Sequence, residues 1–129
     1  MGSKFSLFEK SIDLALRKKG KSFSEELFRH IDLKGLKDSD VYKRAGIDRR
    51  LFSKIRNGYT PGKQIIIALA FALQLSHFET ENLLEKVGYT LSSSYSFDII
   101  ITIALQEKMY DIDAVNEQLY RLKLPLIGC

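Results

Sequence analysis

Residues 39–58 read SDVYKRAGIDRRLFSKIRNG, and their spacing decides the fold. Val41 and Ala45 are the small or branched residues that let a short helix pack closely. Gly46 follows, a residue that enters a positive-φ turn without steric cost. Ile47 is placed to plug the corner, and Asp48 to cap a second short helix through its carboxylate. Phe52 and Ile55, three apart, predict the buried face of that second helix. Its other face carries Arg49, Arg50, Ser53, Lys54 and Arg56, and Asn57-Gly58 supplies an exit turn. The stretch predicts two short helices meeting at a glycine, the second turning its cations outward.

Helical signals continue on both sides. Upstream, Phe5, Phe8, Ile12, Ala15 and Leu16 recur at helical spacing between Lys4 and Lys19, and Gly20 is the expected stop. Ser22 or Ser24 is expected to cap the next helix, with Phe23, Leu27, Phe28 and Ile31 inward and Gly35 at its close. Asp38-Ser39-Asp40 gives a helix start, with short acceptors and negative charge suited to an N-terminus. Downstream, Thr60-Pro61 is expected to open a helix running to about Leu75. It contains the nine-residue apolar run of residues 65–73, which predicts a central helix buried all round. Ser76-His77-Phe78-Glu79 reads as a capping box for a helix ending at Gly88, with Leu83, Leu84 and Val87 inward.

Residues 91–94 form a polar linker, and Ser94 or Ser96 opens a further helix from Phe97 to about Lys108. The β-branched run Ile99-Ile100-Ile101 also suits a strand. Asp111 is expected to cap a last helix carrying Val115, Leu119 and Leu122 on one face, before Pro125 and Gly128 end the structure. The predicted class is all-α. Residues 1–3 have the look of an expression remnant, 4–21 form an N-terminal amphipathic helix, 22–90 the core, and 91–129 a C-terminal helical extension of the same domain.

Composition narrows the function. A chain of 129 residues with 45% hydrophobic content builds one domain with a sizeable core. The single thiol, Cys129, staples nothing, which fits a reducing cytoplasm. No signal peptide is read, and the longest apolar run falls far short of the roughly 20 residues of a membrane span. The net charge is +4, and its distribution is uneven. Between residues 37 and 63 stand eight cations (Lys37, Lys43, Arg44, Arg49, Arg50, Lys54, Arg56, Lys63) against Asp38, Asp40 and Asp48. The rest of the chain is nearly neutral, so this window carries a footprint suited to a polyanion.

The glycine turn, the capped helix with its spaced apolar pair, the Asn-Gly exit and the long apolar helix beyond resemble the lambda-repressor-like (Xre) family of bacterial and phage regulators, over about Phe23 to Val87. The resemblance implies a helix-turn-helix protein with a five-helix core, here with an extra N-terminal helix and a C-terminal helix pair. It implies that the helix Asp48 to Gly58 enters the major groove of double-stranded DNA and reads bases with Arg49, Arg50, Ser53 and Lys54. Lys43, Arg44, Arg56, Asn57, Tyr59 and Lys63 would then contact the phosphate backbone. The chain departs from the family where Lys37-Asp38-Ser39-Asp40 lacks the usual glutamine and where Leu51 replaces a polar residue. A narrower resemblance rests on Asp38 through Arg56, KVGYTL at 86–91 and YDIDAVNEQL at 110–119. These are similar to a helix-turn-helix domain found at the C-terminal end of multidomain bacterial proteins.

The expected function is sequence-specific DNA binding in transcription regulation, by a homodimer joined through the N-terminal helix or the pair Phe97 to Leu122. The alternative is a protein-interaction or targeting module of a larger bacterial signalling or defence protein, with an upstream domain or protein as partner. No enzyme activity, metal or cofactor is expected. His30 and His77 lack neighbours at metal spacing and are expected at the surface or in caps, and Asp111-Ile112-Asp113 reads as a helix start. No phosphate loop or nucleophile elbow is present.

Overall fold

The computed structural model describes residues 3–19 and 21–128. Its described residues form eight helices and no strand: α1 (Lys4–Arg17), α2 (Lys21–Lys34), α3 (Asp38–Ala45), α4 (Arg49–Arg56), α5 (Lys63–Ala72), α6 (His77–Glu85), α7 (Ser96–Gln106) and α8 (Ile112–Arg121). The fold is all-α.

Helix α5 is the centre. Every residue from Ile66 to Ala72 is buried, as its unbroken apolar run requires. Helices α3 and α6 pack on it, α2 and α7 pack on α6, α4 on α3, and α8 on α7. One hydrophobic cluster joins Phe23, Leu27 and Ile31 of α2, Val41 of α3, Leu83 and Leu84 of α6, Ile101 and Leu105 of α7, and Leu119 of α8. Each such side chain contributes about 1.5–3 kcal/mol relative to exposure. The C-terminal pair therefore shares the core of the helices before it. Helix α1 does not: none of its residues is buried.

The isoleucine run of α7 is settled by period. Ile101 is fully buried while Ile99 and Ile103 are 41% and 47% exposed. A strand would place all three on one face. The next inward residues, Ala104 and Leu105, follow at helical spacing.

Caps match the expected chemistry at three starts. Asp48 accepts the Leu51 amide at 2.7 Å, and Asp111 accepts the Ala114 amide at 3.2 Å. Ser76 and Glu79 form the reciprocal box, with Glu79 Oε1 accepting the Ser76 amide at 2.9 Å and Ser76 Oγ accepting the Glu79 amide at 3.1 Å. That bond to the Ser76 backbone holds the Glu79 carboxyl below its ordinary pKa.

Other boundaries differ from expectation. Helix α2 begins at Lys21, so Ser22 and Ser24 lie within its first turn instead of capping it. The expected stop at Gly20 lies outside the described residues. Helix α3 starts at Asp38 as expected, with the negative charges of Asp38 and Asp40 in its first turn, but Lys37 holds the cap position and no side chain caps it. Helix α5 begins at Lys63 with Gly62 before it, so Thr60-Pro61 belongs to the preceding loop. His30 is buried, not a surface or capping residue: its Nε2 lies 3.3 Å from Glu26 and its Nδ1 3.9 Å from Glu79, between α2 and α6.

The tail beyond Pro125 is structural. Ile127 is 2% exposed, and Asn116 of α8 grips its backbone twice, accepting its amide at 2.8 Å and donating to its carbonyl at 3.0 Å. The Gly128 amide donates to the Gln64 carbonyl at 3.1 Å, which fastens the tail to the start of α5.

Candidate nucleic-acid interface

The site begins with the turn between α3 and α4. Gly46 takes a left-handed conformation, φ +71°, and the Ile47 amide reaches back to the Tyr42 carbonyl at 3.0 Å. A side chain with a Cβ is strained at that φ. Ile47 is 7% exposed and fills the corner. Asp48 then starts α4 with its carboxylate on the Leu51 amide.

Packing fixes which face of α4 points outward. Phe52 is 3% exposed and Ile55 fully buried. Phe52 sits among aromatic rings, with Phe28 edge-on at 5.5 Å and Tyr42 tilted at 5.5 Å. Each such pair adds about 0.5–1.5 kcal/mol beyond its buried area. At 3.6 residues per turn, Arg49, Arg50, Ser53 and Lys54 fall within an arc of about 140° opposite that anchor. All four are exposed, and so are Lys43 and Arg44 on α3. Leu51 flanks the arc and is half-buried against the core.

The exit turn follows the expected form. Gly58 has φ +100°, and the Tyr59 amide donates to the Lys54 carbonyl at 2.9 Å. Asn57 is exposed, and Tyr59 is 52% exposed beside it. Both therefore border the outward face of α4.

The ten residues expected to contact DNA divide into two groups. Lys43, Arg44, Arg49, Arg50 and Lys54 form no ion pair among the described residues, and like Ser53, Asn57 and Tyr59 they are exposed. Arg56 and Lys63 are held by the protein. The Arg56 guanidinium pairs with Asp38 and lies 4.1 Å over the Phe28 ring. Ser24 also donates to the Arg56 carbonyl at 3.3 Å, tying α2 to the end of α4. Lys63 Nζ is 2.6 Å from Asp98 Oδ1, and that carboxylate is 3% exposed. The second Asp98 oxygen accepts the Ser92 amide at 2.9 Å. Lys63 thus bolts the start of α5 to α7.

The same pairing changes the balance of the site. Asp38 is engaged by Arg56 and Asp48 by the helix it caps, so two of the three carboxylates in the basic window are occupied. Six cations of that window, Lys37 among them, form no ion pair among the described residues and outnumber its remaining carboxylate, Asp40.

Sequence reasoning missed Asp38, Phe28, Ser24 and Asp98 as partners of site residues. Arg56 and Asp38 stand 18 positions apart, and Lys63 and Asp98 stand 35 apart. No periodic pattern links residues so distant. The one local signal was the charge pattern itself, since acids in a basic window need partners.

Among the described residues no helix is long and apolar enough to cross a membrane, and no cluster of three His, Cys, Asp or Glu side chains is placed to hold a metal ion. No protein-family model, curated protein or solved structure matches this chain.

Proposed function

We propose that this chain is a sequence-specific DNA-binding protein of the helix-turn-helix type that regulates transcription, with α4 as the reading helix. One observation carries the reading: Arg49, Arg50, Ser53 and Lys54 share the exposed arc of a short helix whose opposite face is locked by Phe52 and Ile55. An eight-residue helix is about 12 Å long and fits the major groove. Arg49 and Arg50 are suited to bidentate bonds with guanine edges, each giving roughly 1–3 kcal/mol of discrimination. Lys54 and Ser53 extend the same row. Asn57 and Tyr59 border it, Lys43 and Arg44 are exposed on the preceding helix, and all four are suited to phosphates, which position the helix without reading sequence.

Arg56 and Lys63 drop out of the contact set under this reading. Their charges are already spent on Asp38 and Asp98. They act indirectly, Arg56 by fixing the end of α4 and Lys63 by fixing the start of α5.

A single domain of this size binds DNA weakly, and a two-fold dimer would read half-sites about 34 Å apart. Selection from a pool of random duplexes tests the reading. It should converge on a motif, with G·C pairs at the positions that Arg49 and Arg50 face. A pool that stays random, with no salt-sensitive retention, removes DNA as the ligand.

A further inference from the structure

We propose that α1 of one copy lies in the groove between α7 and α8 of a second copy, the two chains exchanging these helices reciprocally. The two surfaces have complementary form. Helix α1 has no buried residue, although Phe5, Phe8, Ile12 and Leu16 form an apolar stripe along its length. Phe5 is 82% and Phe8 65% exposed. Isolated helices of this length are marginal in water, so such a stripe needs a partner to stay helical. Between α7 and α8 lies an apolar groove of about 270 Å³, lined by Ile103, Ala104, Met109, Ala114 and Val115 with Glu107 at its edge. It admits large side chains from an amphipathic helix, as helix-in-groove recognition requires.

Charge selects the occupant. Residues 4–19 carry five cations against two anions. Residues 96–121 carry five carboxylates against two cations; Asp98 is committed to Lys63 and Asp111 caps α8, which leaves Glu107, Asp113 and Glu117 exposed. The basic helix and the acidic α7–α8 pair, whose Glu107 lines the groove, attract each other, whereas two α1 helices or two such pairs repel.

Area selects reciprocity. A stable interface buries on the order of 1,600 Å² in total. One face of a 14-residue helix supplies part of that, and a two-fold exchange supplies it twice. The exposed face of α4 takes no part, so association needs no DNA and its failure leaves the DNA reading untouched.

Sedimentation of the full chain over a concentration series, without DNA, tests the exchange. The parent should dimerise, less tightly as salt is raised. Phe8→Asp with Ile12→Asp on α1 should weaken association on the order of a hundredfold. Ile103→Asp, or independently Met109→Glu, should do the same from the groove side. Phe8 is mostly exposed and Ile12, Ile103 and Met109 are roughly two-fifths to half exposed, so helical circular dichroism should stay near the parent level and reports any variant that unfolds. An equal mixture of the α1 variant and the Ile103 variant retains one intact contact per pair and should associate more tightly than either alone. A parent that is monomeric throughout, including one whose α1 folds back on its own groove, overturns the proposal. So does a dimer that survives either change, or a mixture that gains nothing.

Discussion

Arg56, the last residue of α4, and Asp38, the first residue of α3, are bonded to each other across the helix pair. The bond takes a cation away from the candidate DNA surface and cancels a carboxylate at its edge. Asp38→Asn should therefore release Arg56 and remove a negative charge. Both side chains are about half exposed, so folding stability should move by less than about 1 kcal/mol. DNA affinity should rise, and the salt dependence should steepen by up to about one phosphate's worth. Anisotropy titrations at a series of salt concentrations read both, and a loss of affinity would assign Asp38 a positive part in binding.

Lys63 makes the opposite kind of pair. Its partner Asp98 is almost fully buried, so removing the ammonium strands a carboxylate in the core. Lys63→Ala should cost about 3 kcal/mol or more in urea unfolding. A double change, Lys63→Met with Asp98→Leu, should recover much of that loss. If Lys63→Ala leaves the unfolding midpoint alone and weakens DNA binding instead, Lys63 is a phosphate contact.

The turn and its anchor should be separable by mutation. Gly46→Val forces a branched side chain into the left-handed region and should cost about 1–2 kcal/mol or more. Phe52→Ala opens a cavity beneath α4 and should cost about 3–5 kcal/mol. Thermal melts followed by circular dichroism check both. Equal stability of the parent and Phe52→Ala would mean that α4 is not held by this ring.

Acid should weaken two local contacts, the capping box of α6 and the Glu26–Arg29 pair of α2. The Glu79 carboxyl is held below its ordinary value of 4.5 by the Ser76 amide, and Glu26 below the same value by Arg29. A carboxyl whose folded pKa is depressed stabilises the fold fully above its unfolded value. That contribution fades as pH falls through the folded value. Stability should hold flat at neutral pH and decline below about pH 4.5. Glu79→Gln should make the decline shallower, which urea midpoints between pH 7 and pH 3 would register.

The helices were legible in the sequence because their signals are local. Apolar spacing marked most of the helices, the unbroken run of residues 65–73 marked α5 and the isoleucine run of α7 suited a strand as well, while Asp48, Ser76 and Asp111 cap as their side-chain chemistry dictates. The turn was legible for the same reason, since Gly46 is the residue that a positive φ favours. Starts without a side-chain cap were misplaced by a few residues: Pro61 looked like a first-turn proline and lies in the loop. What joins distant segments was not legible. Nothing local announced that Ile127 enters the core, that Asn116 clamps it, or that Lys63 belongs to Asp98. The exposure of Arg49, Arg50, Ser53 and Lys54 follows from Phe52 and Ile55 and could be read in advance; the capture of Arg56 by Asp38 and Phe28 could not.

The most direct measurement is the DNA affinity of the chain carrying Arg49→Ala and Arg50→Ala, titrated against a selected duplex beside the parent. Both guanidinium groups point away from the core, so the helical signal and the melting temperature should be preserved while specific affinity falls at least a hundredfold. A double variant that binds that duplex as tightly as the parent contradicts the assignment of α4 as the reading helix.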